Sequence, residues 1–130
     1  MTALELILAR NLVSSLELAA VLLDLEQSVV FFNDAAGELI GARFEETGPM
    51  ALAEWQGRFG PLSVGGTPVA VERLPLTSAL REGRPAHARL RLRLGERELG
   101  VEASGLPLVG PGGYQGALVV LWPAETPGEA

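Results

Sequence analysis

The chain contains no cysteine, which excludes disulfides, a thiolate nucleophile and any Cys-ligated zinc or iron–sulfur centre. All ten of its basic residues are arginine. Without a lysine amine there is neither P-loop phosphate chemistry nor Schiff-base catalysis. His87 is the only histidine, too few for a multi-histidine cage, so no metal site is expected. Positive charge is scarce: 16 acidic against 10 basic residues leave a net charge of −6, which argues against a nucleic-acid backbone or an anionic membrane as partner. Long hydrophobic runs are missing as well. None approaches the roughly 20 apolar residues of a membrane span. Glu5 interrupts the N-terminal apolar stretch, which also lacks the basic leader of a signal peptide. A cytoplasmic protein is the resulting expectation. What remains is one domain: 130 residues, 48% of them hydrophobic, enough to bury a sizeable core.

Thr2 followed by Glu5 has the spacing of a capping box. Leu4, Ile7, Leu8, Leu12 and Leu16 then recur at helical intervals, with Leu6 and Val13 widening the stripe. This predicts a flanking helix over residues 1–18, with more apolar surface than a free helix tolerates in water. From Ala19 the pattern changes to two short apolar runs, AAVLLDL and SVVFF, separated by a polar break, which read as a hairpin covered on both faces. Asn33 or Asp34 can cap a short helix that Gly41 ends. Residues 42 to about 72 carry weak signals, with a turn or two of helix at Met50–Gln56 and a turn-rich loop after it. Glu72–Glu82 reads as a helix with an early Pro75, stopped by Gly83 and Pro85.

The stretch AHARLRLRLGERELGVEAS alternates strictly about Gly95-Glu96, a two-residue turn with glycine first. Pairing outward from that turn sets Leu92 opposite Leu99, Leu90 opposite Val101 and Ala88 opposite Ala103, while Arg93 meets Glu98 and Arg89 meets Glu102 on the other face. Apolar faces apolar and opposite charges meet in a single register. By the same parity His87 points outward with the arginine row, which reads as a salt-bridged surface, and Ser104 pairs with it. After a turn at Gly110–Gly113, YQGALVVLW is apolar on both faces and belongs in the middle of the sheet. The fold class is therefore α+β: a five-stranded antiparallel sheet with helices inserted between strands 2 and 3, plus the N-terminal helix. Trp55, Phe59, Leu76, Leu80, Leu90, Leu92, Leu99 and Val101 would fill the space between the sheet and the inserted helices. No nucleophile, base or metal set stands out, since GxSxG is absent and VGPGGYQG precedes a strand instead of a helix.

Three stretches in order resemble the PAS domain family of bacterial signalling sensors: VLLDLEQSVVFFNDAAGELIG (Val21–Gly41), LPLTSALREGRPAH (Leu74–His87) and LGERELGVEASGLPLVGPGGYQGALVVLW (Leu94–Trp122). Asn33 takes the place of the family's asparagine, whereas Gln27 stands where the first hairpin turn commonly has glycine. The resemblance implies a domain over residues 19–122 with a flexible tail at 123–130. It implies a sensory and dimerisation role, without enzymatic activity, that regulates a signalling effector in cis or in trans. The alternative is a ligand-free protein-interaction module docking on a separate signalling protein. The space lined by the eight apolar residues is where members of the family can hold a small ligand; here the alternatives are a plainly packed core and an unidentified small apolar ligand. Asn33 would serve as a structural cap and loop-holder, and no cofactor is expected: the helix that bears the haem ligand in family haem sensors has no histidine here, and thiol-linked flavin needs a cysteine. The stripe Leu4, Ile7, Leu8, Leu12 and Leu16 would form a homodimer contact.

Overall fold

The computed structural model describes residues 4–59 and 82–124. The chain opens with helix α1 (Leu4–Ser14) and the hairpin β1 (Ala19–Asp24) and β2 (Ser28–Phe32). Helices α2 (Asp34–Ile40) and α3 (Phe44–Thr47), strand β3 (Met50–Ala51) and helix α4 (Leu52–Phe59) follow, and three long strands close it: β4 (Ala86–Leu94), β5 (Arg97–Gly110) and β6 (Gly113–Pro123). The Glu72–Glu82 helix anticipated from the pattern falls almost wholly outside the described residues, as do the cap at Thr2 and the end of the tail.

One antiparallel sheet runs in the order β3-β2-β1-β6-β5-β4. It has six strands, one more than expected. The addition is the two-residue β3, which pairs Ser28 with Ala51 and Val29 with Met50. So short a strand carries no alternation to detect, and its residues read as the approach to a helix. The β4–β5 hairpin has the expected register throughout, with Leu92 opposite Leu99, Arg89 opposite Glu102 and His87 opposite Ser104. Gly95 takes φ +67°, as glycine readily does in such a turn. Strand β6 lies between β1 and β5, in keeping with its two-sided apolar sequence.

The first hairpin turns on a side chain. Asp24 Oδ1 accepts from the N–H groups of Glu26 at 2.9 Å and Ser28 at 3.0 Å, and Gln27 is left at φ +62°. This left-handed conformation is the physical reason a glycine suits that position.

The two sheet faces are covered differently. On the inner face, Val21, Leu23, Val29, Leu90, Leu92, Val101, Val119 and Leu121 pack with Ile40, Leu52, Trp55 and Phe59 from α2 and α4. On the outer face α1 lies across Ala20, Leu22 and Phe31. The helix presents its smallest apolar residues to the sheet: Ala9 and Val13 are buried, Leu16 is half-buried, and Leu8 and Leu12 are 58% and 57% exposed. Small side chains bring a helix axis close to a flat sheet, which leaves the leucines on its flank. Full burial of Val13 contributes roughly 1.5–3 kcal/mol.

Candidate functional site

Local sequence places a polar hub under α1. Asn33 follows the last residue of β2 in an extended conformation, the geometry of a helix N-cap. Its Oδ1 accepts from the N–H of Ala36 at 2.9 Å, capping α2, and from the N–H of Ala20 on β1 at 3.1 Å. Its Nδ2 donates to the carbonyls of Val13 at 3.0 Å, Leu18 at 2.9 Å and Leu16 at 3.4 Å. Only 3% exposed, this side chain ties the end of α1, the linker, β1 and α2 to one point. At the other end of α2, Gly41 at φ +76° closes the helix by donating to the Gly37 carbonyl at 2.8 Å.

Between the sheet and α4 lies a cavity of about 40 Å³, lined by apolar side chains that include Leu23, Leu52, Trp55, Leu90, Leu92 and Val101. Four of the eight residues proposed from sequence line it: Trp55, Leu90, Leu92 and Val101. Phe59 is buried behind Trp55, its ring 4.9 Å away edge-on. Leu99 is half-buried at the margin of the core, and Leu76 and Leu80 lie outside the described residues. Sequence reasoning did not single out Leu23 or Leu52 as lining. Leu23 sits in a strand apolar on both faces, where parity gives no direction, and Leu52 opens α4 next to the unforeseen β3. Among the described residues every buried side-chain nitrogen or oxygen has a hydrogen-bond partner, and every described residue that lines this cavity is apolar. Such a lining favours an apolar occupant.

Two surface grooves of about 340 Å³ each flank α2. One, between α2 and α3, is polar and includes Asp34, Glu38, Arg43 and Glu46. The other, where the α1–β1 linker meets the end of β6, includes Leu18, Leu39 and Leu121 between Glu17 and Glu38.

On the outer face of the β4–β5 hairpin, His87 Nδ1 lies 2.8 Å from Ser104 Oγ and Nε2 lies 2.8 Å from Glu102 Oε1. Glu102 Oε2 is also 3.6 Å from Arg89. The other cross-strand pair slips diagonally: Arg91 reaches Glu98 at 3.2 Å, and Arg93, although opposite Glu98, makes no ion pair among the described residues. The Ser–His–Glu group has the residue types of a hydrolytic triad but lacks its surroundings. Ser104 is paired on both sides, with His87 and with Val120, so its backbone belongs to the ladder and no pair of N–H donors converges beside the hydroxyl. The group is a hydrogen-bonded patch of strand surface. Among the described residues no cluster of three His, Asp or Glu side chains could hold a metal, and no helix is long and apolar enough to cross a membrane.

Of the candidates on α1, Leu8 and Leu12 face solvent and Leu16 is half-buried against the outer cluster. Leu4 and Ile7 belong to the helix, and their side chains lie outside what the structure describes.

No protein-family model matches the chain, and no curated protein matches it significantly. Solved structures do. The PAS domain of BvgS from Bordetella pertussis is similar with a TM-score of 0.65 at 15% identity, covering 96% of this chain and 89% of that one. The PAS domain of nitrogen regulation protein NR(II) from Vibrio parahaemolyticus gives a TM-score of 0.65 at 16% identity, covering 90% and 98%. A LOV protein of Rhodobacter sphaeroides gives 0.71 at 17% identity, covering 95% of this chain and 70% of that one. The antiparallel sheet, the helices inserted after its first hairpin and the core between them are those of these domains: the chain has the PAS fold.

Proposed function

We propose that this chain is a sensory and dimerisation domain of a signalling protein, without catalytic activity of its own. The observation that carries the reading is the pairing of two features on opposite sheet faces: a cavity beside Trp55 whose described lining is apolar, and a helix that turns Leu8 and Leu12 to solvent. The cavity is an input site for a small apolar molecule, and α1 with its exposed leucines is the surface for a second copy. The signal then passes to an effector on the same chain or on a partner. Solved PAS domains similar to it include those of BvgS, of NR(II) and of a two-component sensor histidine kinase, and these names motivate a regulatory role.

The size of the cavity favours a second reading. At about 40 Å³ the cavity is far below the roughly 300–1,000 Å³ of ordinary ligand pockets. A domain that keeps this core closed would respond to protein contacts alone and act as a ligand-free interaction module. Native mass spectrometry of the purified chain separates the two. A retained molecule released on denaturation supports ligand sensing, whereas a bare polypeptide mass that stays bare after incubation with a panel of apolar small molecules supports the interaction module.

A further inference from the structure

Phe31 and Phe32 are neighbours on a strand and so point to opposite faces of the sheet. Phe32 belongs to the inner core and Phe31 to the outer cluster under α1. Because β3 pairs only with Ser28 and Val29, both phenylalanines stand at the sheet margin, where a third ring can reach round the edge. Phe44, at the start of α3, does so. Its ring meets Phe31 edge-on at 5.1 Å and Phe32 at 5.4 Å, and it packs against both apolar clusters. The chain of rings continues inward from Phe32 to Trp55 at 5.5 Å, on the wall of the cavity. Outward it ends on α1, where the Arg10 guanidinium sits over the Phe31 ring at 4.4 Å and 5.7 Å from Phe44.

We infer that Phe44 couples the position of Trp55 in the cavity wall to the seating of α1 on the opposite face. Edge-to-face contacts depend on ring angle as well as distance, and a packed interior does not absorb a turned ring without moving its neighbours. A displaced Trp55 therefore turns Phe32, Phe44 follows, and Phe31 shifts beneath Arg10. Among the described side chains of the helix the buried ones are the small Ala9 and Val13, and the cation–π contact of Arg10 adds to what holds its middle turn. The second attachment, through Asn33, begins at the residue after Phe32 and holds only the helix end. The two-state element is α1, seated or lifted, and the Leu8/Leu12 surface moves with it. The inference rests on the sensory reading for its purpose, since it assigns the route from input cavity to dimer surface.

The test needs no ligand. In a Trp122→Phe chain, Trp55 is the sole indole, and its emission and acrylamide quenching report on the cavity wall. Arg10→Ala is expected to change Trp55 quenching, and the same substitution in a Phe44→Leu background is expected to change nothing further. Coupling is reciprocal, so Trp55→Phe should speed amide exchange over residues 9–16 by about fivefold, the low end for coupled sites, and this acceleration should vanish with Phe44→Leu. Phe44→Met replaces Phe44→Leu if the latter does not unfold cooperatively. Trp55 quenching that ignores Arg10→Ala, or a response that persists without the Phe44 ring, overturns the inference. Neither result bears on whether a ligand is retained, and a chain without ligand leaves the coupling measurable.

Discussion

At the residue scale the most consequential side chain is Asn33. Its carboxamide makes five hydrogen bonds, and alanine removes this partner from the Ala20 and Ala36 N–H groups and from the Leu16 and Leu18 carbonyls, while the Val13 carbonyl keeps its bond from the Leu16 N–H. At about 1–3 kcal/mol for each buried group left unsatisfied, Asn33→Ala should cost about 3 kcal/mol or more in a urea titration. Asn33→Ser restores the cap on Ala36, worth about 1 kcal/mol, but does not reach the α1 carbonyls, and should recover only that part. If serine restored full stability, the hub would be no more than a cap. Gly83 makes a second case. It stands at φ +69°, and a Cβ there would overlap the hydroxyl end of the Tyr114 ring. Gly83→Ala should therefore destabilise by about 1–3 kcal/mol from backbone strain and lost packing, with part of the loss relieved in a Gly83→Ala/Tyr114→Ala double variant measured the same way. Asn33 was legible as a helix cap, because a short polar residue before an apolar helix has that meaning locally. Its bonds to Val13, Leu16 and Leu18 were not, since they depend on how α1 crosses the sheet.

At the scale of elements, the β4–β5 hairpin separates its faces cleanly. Leu92 is 4% exposed, whereas Leu106, of outward parity on β5, is 41% exposed. Thermal denaturation should show a loss of about 2–5 kcal/mol for Leu92→Ala and under about 0.5 kcal/mol for Leu106→Ala, as for other surface positions. Equal losses would reverse the assigned faces. The register of this hairpin was readable because period-2 alternation, a glycine-first turn and complementary charges all select one, whereas the diagonal pairing of Glu98 with Arg91 instead of Arg93 was not. Helix α1 was readable only as an element. Its apolar stripe, Val13 included, was too wide to say which part meets the sheet; among the described side chains Ala9 and Val13 do, because close approach to a sheet favours small side chains over the most apolar ones.

At the scale of the molecule, the proposed dimer makes the sharpest prediction. Leu8 and Leu12 are exposed, so Leu8→Glu/Leu12→Glu should leave the melting temperature nearly unchanged. In light scattering at tens of micromolar it should convert a dimer into a monomer. A wild-type monomer, or a dimer that survives the double substitution, removes α1 as the contact. Deleting the helix is a poorer test, because it would strip Asn33 of acceptors it uses in the fold. The purified chain should also be colourless after expression with haem and flavin available; with no cysteine, a stoichiometric visible band would require a chromophore held without a thiol.

The amino-acid sequence by itself determined what is local or periodic: the parity of β4 and β5, the two-residue turn, the capped and glycine-terminated α2, the central place of the two-sided β6, and the exclusion of thiol and lysine chemistry. Each follows from interactions between residues near in the chain, or from a repeat that only one face can satisfy. Tertiary structure alone decided the rest. It brought Phe44 round the sheet edge to touch both clusters, set small residues of α1 against the outer face, recruited Met50–Ala51 as a sixth strand and left a cavity of about 40 Å³ beside Trp55. Those outcomes depend on distances between segments far apart in the chain, which composition and spacing do not encode and close packing fixes only when every neighbour is in place.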